Sequence, residues 1–174
     1  MFIIKIVFLS KTSDMQTREI RIFVEEYNSV GELKEEEREL VFAAREASKD
    51  AYAPYSQFHV GAALKLGNGM IFKGNNQENS SFTAGLCAER VALFYANAAF
   101  PDEPVKIIAV TAENSYGLIA HPVKPCGVCR QAMVETEVRF KQPIRIILDG
   151  KSKIQVFNGV ENLLPFAFKP DSLD

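Results

Sequence analysis

A chain of 174 residues, 47% apolar and 24% charged, is sized and balanced for one globular domain with a continuous core, which argues against a disordered or fibrous protein. A formal net charge of −2 with no Lys/Arg cluster argues against a nucleic-acid partner, because phosphate contacts carry such binding. Three cysteines make a poor disulfide framework and suit reduced thiols, which points to the cytoplasm.

Residues 1–10 are apolar, but Lys5 splits the run, it is too short to span a bilayer, and no small-residue cleavage site follows. It reads as a strand. Residues 2–9 and 19–26 both have strand character on either side of the polar stretch 10–17, so residues 1–32 form an N-terminal extension: an extra hairpin or an added edge. A helix is expected over 33–51, with Glu35, Glu36 and Glu37 near its start and Leu40, Val41, Ala44 and Ala47 at helical spacing, ended before Pro54. Segments 58–66 and 70–74 flank Gly67-Asn68-Gly69, a hairpin signal. A second helix fits 87–98, and Val105 to Val110 supply the nearly continuous apolar run of a buried strand over 106–112. After a loop containing Gly117 and Pro122, a third helix begins at Cys126 or Gly127 and runs to about Phe140. Strands 144–148 and 154–157 follow around an Asp149-Gly150 turn, and the tail 169–174 lacks core residues and is expected to fray. Strands alternating with helices predict an α/β chain: a three-layer α/β/α sandwich around a central mixed sheet.

The chemistry concentrates in two short segments. Cys126-Gly127-Val128-Cys129 carries two thiols on one turn, able to reach a single metal ion, and Cys87 is available as a third ligand. Three protein ligands leave one tetrahedral position for water, as in catalytic zinc sites, whereas structural sites are closed by four. Glu89, in the same turn as Cys87, can stand beside the metal without binding it, where a proton shuttle belongs. Three thiolates around Zn²⁺ carry a formal charge of −1, which the two helix starts and Arg90 can offset. Taken alone, CxxC at a helix start also suits a thioredoxin-like redox pair; a structural site closed by His121 and a zinc-stabilised interaction domain without a pocket are further alternatives. Cys87 and Glu89 weigh for catalysis.

Cys87-x-Glu89 followed by Pro125-Cys126-x-x-Cys129 matches the zinc deaminase signature with Cys in place of His. The stretch AYAPYSQFHVGAAL at 51–64 resembles the first signature of the cytidine deaminases, and GNNQEN at 74–79, LCAER at 86–90, PCGVCRQ at 125–131 and LLP at 163–165 occur in that family's order. The resemblance covers residues 33–168 and leaves the extension unexplained. Blasticidin deaminases share the zinc motifs, but Asn76-x-Glu78-Asn79 and Arg90 look like the nucleoside branch; Asn75 stands where that branch commonly has Cys.

The resemblance implies a cytidine deaminase-like fold and hydrolytic deamination of cytidine and 2'-deoxycytidine in pyrimidine salvage. Zinc would be held by Cys87, Cys126 and Cys129, with Glu89 moving protons and Arg90 beside the metal ligands. It also implies that the Ala88 N–H holds the base carbonyl and the Pro125 carbonyl receives the amine. Asn76 and Glu78, which point to the same side of an extended chain, would take the sugar hydroxyls; solvating a strand end is the alternative for both. Phe58, and Phe168 from a neighbouring subunit of a homotetramer, would pack on the nucleoside; a Phe is as readily core.

Overall fold

The computed structural model describes residues 16–173, so the expected strand at 2–9 lies outside the described residues. The strand expected over 19–26 shrinks to β1 (Glu25–Tyr27). Only these three residues find a ladder partner; just upstream, the Phe23 N–H donates instead to Asn162 Oδ1. Helix α1 (Glu35–Ser48) starts two residues later than its periodicity suggests, because the Glu37 carboxylate accepts the Lys34 N–H and sets the first turn.

The remaining elements follow in the expected order: β2 (His59–Leu66), β3 (Ile71–Asn75), α2 (Ala88–Ala99), β4 (Val105–Asn114), α3 (Gly127–Phe140), β6 (Arg145–Leu148) and β7 (Ile154–Asn158). The loop around Gly117 contains a two-residue strand, β5 (Gly117–Leu118), that folds back on β4. The sheet order is β1-β7-β6-β4-β2-β3, with β4 and β6 parallel and every other pair antiparallel, which makes the sheet mixed. The tail expected to fray carries a short 3-10 turn at Pro170–Ser172.

Strand alternation divides the core between two faces. Ala62, Leu64 and Leu66 of β2, Ile108 and Val110 of β4, and Ile146 and Leu148 of β6 pack with Ala92 and Leu93 of α2 and Met133 of α3. Their neighbours Ala63, Ile107, Ala109 and Ile147 pack on the other face with Leu40, Val41 and Ala44 of α1. Helices therefore cover both sides of the sheet, the expected α/β/α sandwich. Each large side chain fully buried in these layers contributes about 2 kcal/mol of transfer free energy.

Two glycines set how closely the helices approach. A Cβ at Gly61 would lie 2.0 Å from the Ala44 carbonyl oxygen, and one at Gly74 would lie 2.6 Å from both the Ala88 oxygen and the Ala92 nitrogen. Gly74 thus lets the first turn of α2 rest directly on β3, which fixes where Ala88 and Glu89 stand.

Candidate active site

Cys87 and Cys126 are not within their helices but are the residues that precede them. Both have extended backbone angles and occupy the N-cap positions of α2 and α3. Their thiols therefore project where two sets of unpaired helix N–H groups, each the positive end of a helix dipole, converge. The Cys126 and Cys87 sulfurs are 3.8 Å apart, Cys126 and Cys129 are 3.4 Å apart, and all three lie within 4.8 Å of one another. A disulfide needs about 2.05 Å, whereas a tetrahedral zinc with bonds of about 2.3 Å has edges of about 3.8 Å between sulfurs. The cluster has the dimensions of a zinc site, and its all-thiolate donor set suits that ion.

The electrostatics agree. The Cys87 thiol is pushed down, first by its hydrogen bond with Cys129 and then by the Arg90 guanidinium, whose Nη2 lies 3.6 Å from the sulfur, against the opposing effect of burial. Cys129 is pushed up by the Cys87 sulfur and by its own burial, so without a cation this thiol keeps its proton. A divalent ion releases that constraint. Arg90 occupies the place beside the ligands that the sequence suggested.

Glu89 is 5% exposed and has no ion-pair partner among the described residues. Burial first, opposed by its own backbone N–H, and then the Cys87 charge raise its pKa above the ordinary carboxylate value. Its side chain lines a cavity of about 740 Å³ together with Phe58, Asn76, Glu78, Cys87 and Cys126. Ala88 and Pro125 are buried and are not among the residues that line the cavity, though each adjoins one in sequence, Cys87 and Cys126. Phe168 is exposed and does not line the cavity of its own chain; its carbonyl accepts a hydrogen bond from Gln131 Nε2 at 2.8 Å. His121, the alternative fourth ligand, lies outside the thiol cluster, with Nδ1 3.4 Å from the Ser152 hydroxyl.

The polar side chains on the far wall are engaged with the turn that precedes β2. Asn76 Oδ1 accepts the Val60 N–H at 2.8 Å and its Nδ2 donates to the Phe58 carbonyl at 2.9 Å. Glu78 accepts from the Tyr55 N–H at 2.9 Å, the Ser56 N–H at 3.3 Å and the Ser56 hydroxyl at 2.5 Å, and these bonds lower its pKa, the hydroxyl foremost. The Ser56 oxygen in turn accepts the Phe58 N–H at 3.0 Å. Both residues thereby aim Phe58, and the Glu78 carboxylate keeps one of its four lone-pair sites for a ligand hydroxyl. Ser56 escaped the sequence analysis, although it stands inside the quoted PYSQF stretch. Tyr55, Phe82 and Lys124 also line the cavity and were not singled out.

A family profile described as the cytidine and deoxycytidylate deaminase zinc-binding region matches residues 34–141. The chain is similar to a cytidine deaminase of Sporosarcina psychrophila, at 37% identity over 134 residues that cover 77% of this chain and 92% of that protein. It is 45% identical over 96 residues to a cytidine deaminase of Halalkalibacterium halodurans, covering 55% of this chain and 68% of that one. Among solved structures, a cytidine deaminase from Burkholderia pseudomallei superposes with a TM-score of 0.64 at 41% identity, covering 75% of this chain and 97% of that one.

Proposed function

The chain belongs to the cytidine and deoxycytidylate deaminase family, whose zinc-binding region it carries, and from that premise we propose that it hydrolyses cytidine and 2'-deoxycytidine to uridine and 2'-deoxyuridine with release of ammonia. The observation that carries this is the convergence of three thiols at two helix starts beside a buried Glu89, without an ion-pair partner among the described residues, on the wall of a cavity. A redox pair would use Cys126 and Cys129 alone and would leave Cys87 and Glu89 without a task. A purely structural site would need no cavity.

Cys87, Cys126 and Cys129 would hold the zinc, which when bound supplies Lewis acidity that brings the pKa of a water molecule toward neutrality. Glu89 would carry one proton from the water to N3 of the base as the oxygen adds at C4, and then a second proton, from the added hydroxyl, to the departing amine. Its burial suits this task, because a raised carboxylate pKa is better matched to carrying protons near neutral pH. Ala88 is the first residue of α2, so its N–H has no partner within the helix and is available to the base carbonyl. The Pro125 carbonyl receives the amine hydrogens. Phe58 gives a flat surface to the base, while Glu78 and the second Asn76 amide hydrogen meet the sugar hydroxyls.

Within this proposal the enzyme acts in pyrimidine salvage in the cytoplasm, which its three unpaired thiols favour. No helix among the described residues is long and apolar enough to cross a membrane. We further propose a homotetramer in which Phe168 of one chain enters a neighbour's cavity; Phe82 on the cavity wall and the exposed Phe94 and Tyr95 of α2 and Val128 of α3 supply apolar surface for such contacts. Glu89→Ala and Phe168→Ala proteins, each impaired, should then recover activity when refolded together, above the sum of the two refolded separately. No recovery, despite demonstrated subunit mixing and impaired parents, would mean that Phe168 acts within its own chain or only in packing.

The reaction is tested by supplying cytidine, deoxycytidine, cytosine and adenosine separately and measuring ammonia against bound zinc. The two pyrimidine nucleosides should release ammonia and the other two should not. Zinc-loaded protein inert toward cytidine would overturn the proposal.

A further inference from the structure

Arg130 stands one residue after Cys129, in the first turn of α3, and its side chain makes two short hydrogen bonds. Nε donates to the Pro125 carbonyl at 2.7 Å and Nη1 donates to the Leu163 carbonyl at 2.6 Å. Its backbone N–H meanwhile donates to the Cys126 carbonyl at 3.0 Å, the first bond of the helix. The next residue, Gln131, holds the Phe168 carbonyl. Arginine ordinarily matches its planar fork to a carboxylate. Among the described residues Arg130 has no such partner, and its fork spans two carbonyls from separate segments of chain.

The Pro125 carbonyl belongs to the residue before the N-cap, outside the helical ladder, so nothing in the helix fixes its direction. A carbonyl oxygen has two lone pairs. Arg130 occupies one, and a bond from a cationic donor is short and strong enough to hold the peptide plane. The second lone pair is then held in a defined direction.

We infer that Arg130 is a positioning residue for deamination: it aims the free lone pair of the Pro125 carbonyl at the exocyclic amine and locks that direction to the C-terminal segment 163–168. The inference rests on the proposed role of Pro125. It carries a signature that a general packing role lacks. Cytidine has an amine for this carbonyl to accept, whereas uridine has an oxygen there with no hydrogen to give. Loss of the fork therefore penalises turnover of cytidine and leaves the affinity for uridine unchanged.

The test compares Arg130→Gln and Arg130→Lys with the wild-type protein, each with its zinc content measured. Lysine keeps the charge but presents a point donor that serves one carbonyl at a time. Both variants should retain zinc, lose roughly tenfold or more in kcat for cytidine, and keep a uridine inhibition constant within about twofold of wild type, as expected for a contact that ligand does not make. Amide hydrogen exchange over 163–168 should quicken in both. Undiminished turnover in either variant, or uridine affinity falling in step with turnover, would overturn the inference while the wild type still deaminates cytidine. A zinc-loaded wild type inert toward cytidine would overturn the functional proposal and this inference with it.

Discussion

Asp149 and Glu89 are both buried carboxylates, one facing α1 and the other in α2, and the protein treats them in opposite ways. Asp149 accepts both arms of the Arg45 guanidinium, at 2.7 and 2.8 Å, and the Thr111 hydroxyl at 2.8 Å. At the opposite ends of α1 and β6, Glu37 pairs with Arg145, which also makes two bonds to Glu25 of β1. Charge on the α1 side is thus closed on itself. Glu89, by contrast, faces a cavity with no ion-pair partner among the described residues and with the Cys87 sulfur as a neighbour of like charge. A closed network spends its charge on fixing the fold, whereas an open one leaves a group that can change its protonation state. The difference assigns structure to one face of the sheet and chemistry to the other.

The sharpest way to break that contrast is to remove the chemistry outright. Cys87→Ala, Cys126→Ala or Cys129→Ala should each lose the zinc and with it the deamination, while His121→Ala keeps both; metal analysis alongside ammonia release decides this. Zinc retained at full stoichiometry in any of the three cysteine variants would mean the ligand set is wrong. Next in size, Asp149→Asn strands Arg45 and should cost on the order of 2–4 kcal/mol of stability, discounted for the partial exposure of Arg45, with turnover in the surviving folded protein close to normal. A denaturant titration with an activity assay on the same samples measures both. A variant of unchanged stability and collapsed activity would move Asp149 to the chemical side.

The smallest effect is expected in the second cluster, at its exposed member Glu25. Arg145 holds the Glu25 carboxyl down to about 2 from its ordinary 4.5. A depressed carboxylate contributes stability that is present above its unfolded value and is lost as pH falls through its folded one. Glu25→Gln should therefore be less stable than wild type at neutral pH by under about 1 kcal/mol, since the pair is half exposed. That gap should close between about pH 4.5 and pH 2; a gap that widens on acidification would contradict the sign.

The two regions also differ in how much of them the sequence disclosed. The three-thiol cluster and the place of Glu89 beside it were legible because they are written locally: CxxC and Cys-x-Glu each span three or four residues at a helix start, and one juxtaposition joins them. The sheet and its covering helices were legible for the same reason, through apolar runs at periods of two and 3.6. Asp149 read as half of a turn because a carboxylate before a glycine is common at turns. Its true partners, Arg45 and Thr111, are remote in sequence, and no periodicity encodes them. Arg130 was hidden likewise, within a quoted motif but with its second bond at Leu163. The strand expected over 19–26 failed for a related reason: β character is realised only where a neighbour offers a ladder, and β7 offers it to Glu25, Glu26 and Tyr27.

The central claim, that an open buried carboxylate beside a three-thiol zinc site moves the protons, is tested most directly by Glu89→Gln, assayed for bound zinc and for turnover of cytidine in the same preparation. The account expects about one zinc per chain, a fold at least as stable as wild type, and a loss of at least roughly a hundredfold in kcat. Near-normal turnover with zinc in place would contradict it.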